Sequence, residues 1–213
     1  ANDGPNAIHG LVFDRPWRIT SSDAGSLDLE VDLGPLGWPF GGVARQAIRL
    51  TSGSLELTAE VVAGEMSMPA GLGWHPWFRR PDEGDMTVRV DAVDTLETAP
   101  DLIPTGRLLP VAGDTDLRTG PALGERRLDH VYPAVRSPVV VTWPDLVLTM
   151  VSSPAVDTFV VHSPRAGVCV EPQTDWPDAI ALAARGVPTT GLVAIPPGEA
   201  LRATTTWSWT TRG

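Results

Sequence analysis

The sequence of 213 residues contains no lysine, so its 16 basic residues are all arginines, and they are outnumbered by 26 acidic residues. The resulting formal net charge of −10 repels phosphate backbones and anionic lipid surfaces. No run of adjacent basic residues is longer than two, as at Arg79 and Arg80. We therefore expect neither a nucleic-acid partner nor a membrane partner.

Cysteine and long apolar runs are also scarce. Cys169 is the only cysteine, which excludes an intramolecular disulfide and a cysteine-based zinc site. No run of about 18 apolar residues and no signal-peptide pattern is present, so we expect a cytoplasmic protein. Because the chain begins at Ala1 rather than at a methionine, we expect that processing or truncation removed a preceding segment.

The common catalytic and nucleotide-binding motifs are missing as well. The sequence contains no Gly-x-Ser-x-Gly, no His-Glu-x-x-His and no Gly-x-Gly-x-x-Gly. Its histidines are scattered without the spacing of metal ligands, so no metal is predicted. The four histidines are His9, His75, His130 and His162.

What the sequence does have is an alternation of apolar and polar residues. In 54–61 every second side chain is apolar, which places these side chains on one face of a strand. One short helix is predicted over 178–186, and 100–124 is predicted as a long polar connection. Many short strands separated by Pro and Gly predict a single all-β domain over 1–213, a large antiparallel β-sandwich. Further strands are predicted at 45–50, 87–92, 139–143, 146–151, 158–162, 167–170 and 201–209.

Two residues stand out as candidates for acid–base chemistry. His75 precedes a proline and lies among aromatic residues, a partly dry setting in which an imidazole can act as a general acid. The alternative is a loop histidine with aromatic core neighbours. Glu171 follows the apolar strand 167–170, and a carboxylate at a strand end can act as a general base. The alternative there is a solvated strand terminus.

Eight tryptophans suggest a sugar ligand, because indole faces stack on the apolar faces of pyranose rings. Three of them, Trp143, Trp207 and Trp209, are predicted to be core residues. Four further tryptophans lie near Gly- and Pro-rich loops, and the sequence favours a core role and a sugar-binding role for them equally. These four are Trp38, Trp74, Trp77 and Trp176.

Several segments together resemble the aldose 1-epimerase (galactose mutarotase-like) family. Asn-Ala-Ile-His-Gly-Leu at 6–11 resembles the first-histidine motif, and Gly-Trp-His-Pro-Trp-Phe at 73–78 resembles the catalytic-acid motif. Glu-Pro-Gln-Thr at 171–174, followed by Pro-Asp-Ala, resembles the catalytic-base motif. Leu-Asp-His-Val-Tyr at 128–132 resembles the segment that carries a substrate-binding aspartate. The resemblance extends from residue 6 to about residue 209.

The resemblance implies a galactose mutarotase-like supersandwich that interconverts the α and β anomers of a free hexose such as glucose or galactose. It implies no cofactor, no metal and a monosaccharide as partner, in a monomer or a homodimer. His75 would be the acid and Glu171 the base, with His9, Asp129 and Trp77 binding substrate. Because the chain is short ahead of His9, we expect N-terminal strands of the family to be missing, together with an arginine that contacts sugar.

Two alternatives use the same fold. The first is a non-catalytic carbohydrate-binding protein, which needs the tryptophans but no acid–base pair. The second is a hexose-6-phosphate 1-epimerase, which predicts a cluster of arginines around the site. Arg79 and Arg80, directly after the catalytic-acid motif, leave this second alternative open.

Overall fold

The computed structural model describes residues 7–212, which form antiparallel strands in four sheets and one short helix, α1 (Ala179–Ala184). Two 3₁₀ turns lie at Gly34–Leu36 and Gly113–Thr115. The described strands are β1 (Arg18–Asp23), β2 (Ser26–Asp32), β3 (Val43–Leu50), β4 (Ser54–Val62), β5 (Met68–Ala70), β6 (Trp77–Phe78), β7 (Thr87–Asp91), β8 (Asp94–Thr98), β9 (Pro104–Pro110), β10 (Asp129–Tyr132), β11 (Arg136–Thr142), β12 (Leu146–Ser152), β13 (Thr158–His162), β14 (Val168–Gln173), β15 (Val193–Ile195) and β16 (Ala200–Thr211).

The larger sheet has eight strands in the order β1-β2-β3-β4-β16-β12-β11-β7. Consecutive strands pair as hairpins through β4, and the long C-terminal strand β16 then inserts between β4 and β12. The hairpin predicted between 45–50 and 54–61 is present as β3 and β4. Alternation along these strands leaves one apolar face, which the sheet must cover to exclude water.

A four-stranded sheet in the order β10-β13-β14-β6 provides that cover. The main core lies between the two sheets and excludes water from side chains of both. Val88, Val141 and Met150 enter it from the larger sheet, and Tyr132 and Phe159 enter it from the smaller one. The predicted antiparallel β-sandwich is therefore confirmed.

The prediction of a long polar connection over 100–124 is wrong. Part of that segment forms β9, which pairs with β8 as an irregular hairpin. The polar composition concealed isolated apolar residues that anchor the segment: Leu117 and Leu123 are at most 1% exposed in the core. The strands β1 and β2 were also not predicted from the sequence pattern.

The hairpin β8–β9 and helix α1 lie against one end of the smaller sheet, on the face turned away from the main core. A second cluster of buried side chains joins Leu96 of the hairpin and Leu182 of the helix to Val131 and Val160 of the sheet. This cover reaches only one end of that face. The other end, where β10 begins and β13 ends, is left open and carries the candidate site.

No helix in the described part of the chain is long and apolar enough to cross a membrane.

Candidate active site

One row of four side chains crosses the open end of the smaller sheet. Asp129 of β10 pairs with His162 of β13. His162 pairs in turn with Cys169 of β14, which pairs with Trp77 of β6. Because directly opposed residues of antiparallel strands point to the same face, these four side chains share one surface. That surface is the face turned away from the main core.

Glu171 lies two residues beyond Cys169 along β14, so it projects from the same face. The expectation that Glu171 ends a strand is wrong, because β14 continues to Gln173. The carboxylate is therefore not a solvated terminus: Glu171 is only 6% exposed. Gln173, next along this face, donates a hydrogen bond from Nε2 to Oε2 of Glu171 at 3.3 Å.

The segment that carries His75 is held against β14 by backbone hydrogen bonds. The amide of Trp74 donates to the carbonyl of Pro172 at 3.1 Å, and the amide of Thr174 donates to the carbonyl of Leu72 at 2.8 Å. Glycine allows this close approach, because a Cβ on Gly73 would lie 3.0 Å from the Cγ of Gln173 and would displace that side chain. The close approach sets the histidine loop beside the strand that carries Glu171.

A further glycine, Gly191, packs against the backbone that follows β14, and its replacement tests this contact. Its φ is +76°, and an added Cβ would lie 2.4 Å from the carbonyl oxygen of Thr174. We expect Gly191→Ala to lower the free energy of unfolding by about 3 kcal/mol in chemical denaturation. The control is Gly186→Ala, with φ of +81° and no atom within 4 Å, which should cost only about 1 kcal/mol. Equal losses in the two variants would contradict the assigned contact.

The two candidate catalytic side chains meet directly. Nε2 of His75 lies 3.3 Å from Oε1 of Glu171, and the imidazole side chain is 34% exposed. His9 packs its ring edge-on against His75, with ring centroids 4.7 Å apart. Trp77, 54% exposed, also stacks on His75, with ring centroids 6.0 Å apart. His75 therefore reaches an open surface bordered by aromatic rings, with the buried Glu171 directly behind it.

Burial dominates the ionisation of this pair. It raises the pKa of Glu171 to about 7, with the negative charge of Asp129 adding to the effect and hydrogen bonds from Gln173 and Cys169 opposing it. Burial also lowers the pKa of His75, and the charges of His9 and His162 lower it further. Because the two groups are in contact, their titration belongs to the pair rather than to either group alone.

The only thiol in the chain lies directly beneath this pair. His75, Cys169 and Glu171 each offer one ligand atom, and these atoms lie within 4.8 Å of one another. Burial raises the pKa of the Cys169 thiol to about 12, and the charges of Glu171 and Asp129 add to this. A soft divalent cation would have to displace that proton. We interpret the thiol as a hydrogen-bonding neighbour of Glu171.

The structure brings all five predicted site residues to one face of the smaller sheet or to the loops beside it. His9, whose φ is +64°, comes from the N-terminal turn; Asn6 of the same motif lies outside the described residues. Of the four loop tryptophans, only Trp77 is exposed beside the pair. Trp74 and Trp176 are 8% and 6% exposed in core clusters, and Trp38 packs beside Met68.

Sequence reasoning missed His162 and Gln173. No local motif marks His162, which follows an apolar strand and precedes a turn. The pairing of β13 with β10 and β14 is what brings it between Asp129 and Cys169. A signal was available for Gln173, because alternation along β14 places it on the same face as Glu171.

Fold and site together define a β-sandwich protein with an imidazole–carboxylate pair on one open sheet face. A model of the family described as aldose 1-epimerase matches residues 1–208, and the chain belongs to this family. The resemblance predicted from the sequence motifs is thereby confirmed. Membership of this family supports epimerase activity on a carbohydrate.

Solved structures share the fold at low sequence identity. A galactose mutarotase-like protein from Clostridium acetobutylicum superposes with a TM-score of 0.83 at 16% identity, covering 96% of this chain and 69% of that one. Galactose 1-epimerase from Lactobacillus acidophilus gives 0.78 at 18% identity, covering 100% and 72%. An aldose epimerase homologue from C. elegans gives 0.74 at 14%, covering 93% and 70%. This chain therefore spans about seven-tenths of each of the three.

Proposed function

We propose that this protein is an aldose 1-epimerase that interconverts the α and β anomers of a free hexose such as glucose or galactose. The observation that carries the proposal is the 3.3 Å contact between His75 and Glu171. The two residues lie far apart in the sequence, so only the fold brings them together. An imidazole and a carboxylate side by side can give a proton to one sugar oxygen and take a proton from another.

The proposed reaction needs one proton acceptor and one proton donor. Glu171 takes the proton from the C1 hydroxyl while protonated His75 gives a proton to the ring oxygen O5, and the C1–O5 bond breaks. Rotation about C1–C2 then turns the other face of the aldehyde toward O5. On closure His75 takes back the O5 proton and Glu171 returns its proton to the oxygen on C1. His9, Asp129 and Trp77 hold and orient the sugar.

The proposed cycle requires one proton on the pair, carried by His75 while Glu171 is ionised, because every step moves a proton between sugar and pair without net gain. The raised pKa of Glu171 makes it a stronger base than an exposed glutamate. The lowered pKa of His75 makes it a stronger acid than an exposed imidazolium. Activity should accordingly follow a bell-shaped pH profile, with its basic limb near pH 7.

The arginines next to the catalytic-acid motif contact groups other than the acid–base pair, which disfavours the hexose-6-phosphate alternative. Arg79 forms an ion pair with Asp82 at 2.6 Å. Arg80 donates to the carbonyls of Pro164, Gly124 and Ser163. Within residues 7–212 no arginine forms an ion pair with Glu171 or Asp129. The acid–base pair itself favours the enzyme over a carbohydrate-binding protein, which has no need of one.

We further propose that 1–213 acts as a single domain without metal or cofactor, in the cytoplasm, as a monomer or a homodimer. A core shared by the two sheets supports the single domain.

The test is polarimetry of freshly dissolved α-glucose and α-galactose with and without the protein. We expect the optical rotation to reach equilibrium faster with the protein for at least one sugar, in proportion to its concentration. Heat-denatured protein serves as the control, and glucose 6-phosphate tests the phosphate alternative. Quenching of tryptophan fluorescence by sugar, without faster anomerisation, would instead identify a carbohydrate-binding protein and discard the enzyme.

A further inference from the structure

We propose that His162 is a substrate-positioning residue whose ring accepts a hydrogen bond from a secondary hydroxyl of the sugar on the side away from C1. The proposal rests on the proposed function and adds a contact beyond the acid–base pair and the three predicted binding residues. Its basis is the place of His162 in the row across the sheet, between Asp129 and Cys169.

The His162 ring is partly exposed on the same open face as the acid–base pair. Its side chain is 36% exposed, and Nδ1 lies 3.5 Å from Oδ1 of Asp129. Its ring meets the exposed Trp77 edge-on, with centroids 5.9 Å apart. A sugar lying against Trp77 would therefore have His162 and Asp129 beside it at one end.

The two nitrogens of this ring are in different environments. Nδ1 is buried and has no hydrogen-bond partner among the described residues. A buried polar nitrogen without a partner is costly, and the nearest acceptor is the carboxylate of Asp129. A proton on Nδ1 directed at Asp129 leaves the lone pair on Nε2 as an acceptor. A sugar hydroxyl can donate to Nε2 while Asp129 accepts from a neighbouring hydroxyl.

The sheet geometry places this contact away from the reacting carbon. His162 is one strand across and two residues along from Glu171. Strand spacing and rise put their Cα atoms about 8 Å apart. With the C1 hydroxyl at Glu171, the ring of a single hexose extends across this gap, so the hydroxyls at C3 or C4 are the ones that reach His162.

The experiment compares two amide substitutions that mimic different ring nitrogens. Asparagine places its amide near the position of Nδ1, whereas glutamine reaches the position of Nε2. We expect His162→Asn to raise KM for mutarotation by about 10-fold with kcat changed less than about 2-fold. His162→Gln should restore most of the affinity. Assays with 3-deoxy- and 4-deoxyglucose should show one analogue that loses affinity with the wild type but not with His162→Asn.

Several outcomes would overturn the proposal while leaving the function intact. One is wild-type KM in His162→Asn; another is an equal loss in both variants together with a lowered melting temperature, which indicates a packing role. A kcat loss without a KM change would place His162 in the chemistry rather than in positioning. If the wild type shows no mutarotation, the proposed function fails, and fluorescence titration with glucose and galactose then tests His162 by itself. Weaker sugar binding in His162→Asn than in His162→Gln supports the contact. Equal sugar binding in the two variants discards it.

Discussion

Replacing Glu171 by glutamine is expected to slow mutarotation by about 10²–10⁴-fold, which is the typical rate contribution of one general acid–base group. Glutamine keeps the size of the side chain and an oxygen for the Gln173 amide, but it cannot take the proton of the C1 hydroxyl. The remaining activity should depend only on His75 as acid, so it should decline as pH rises through the pKa of His75. Polarimetry over a pH series measures both effects, and wild-type rates in this variant would contradict the assignment of the base.

The same substitution is expected to stabilise the fold. Burial raises the pKa of Glu171 from its ordinary value of 4.5 to about 7, so the folded chain holds a proton that the unfolded chain has released. The stability associated with this group is complete below pH 4.5 and is lost as pH rises to about 7. The difference corresponds to about 3 kcal/mol at pH 8, which Glu171→Gln recovers.

Denaturant unfolding of wild type and Glu171→Gln at pH 4 and pH 8 measures this effect. The gain from the substitution should be about 3 kcal/mol larger at pH 8 than at pH 4. Glu56→Gln on the larger sheet provides a matched control, because Glu56 is exposed and should show little pH-dependent change. A pH-independent difference between wild type and Glu171→Gln would mean that the carboxylate is not held in a dry environment.

Replacing His75 by asparagine is the second change with a large expected effect. Asparagine can still hydrogen-bond to the sugar or to Glu171, but it cannot carry the proton to O5. We expect kcat to fall by about 10²–10⁴-fold. The residual rate should depend only on Glu171 as base, so it should rise with pH and level off above the pKa of that group.

The two variants should therefore show opposite pH dependences, where the wild type shows a bell. The pH profile of His75→Asn should keep only the rising limb, and that of Glu171→Gln should keep only the falling limb. The double substitution should reduce the rate to that of buffer. His130→Asn serves as the control, since His130 neighbours Asp129 in β10 and alternation turns it to the opposite face.

Much of the fold could be predicted, because period-two alternation is a local property of the chain. The strands β4 and β7 and the final strand β16 follow the alternation read from the sequence, whereas β12 and β13 follow from short apolar, β-branched runs. The error at 100–124 has a physical cause as well. There a few apolar residues, such as Leu117, are separated by polar and turn-forming ones, and what orders the segment is burial against distant strands.

The residue types and motifs along the chain by themselves determined the β-rich class, the resemblance to the family and the choice of His75 and Glu171. Those features lie in short segments whose residue types can be interpreted without knowing what they contact in the folded chain. Only the tertiary structure decided that Glu171 is buried within a strand and lies against His75, and that His162 joins Asp129 and Trp77 on one face. The reason is that register between strands distant in the sequence selects which side chains share a surface, and burial then sets their ionisation.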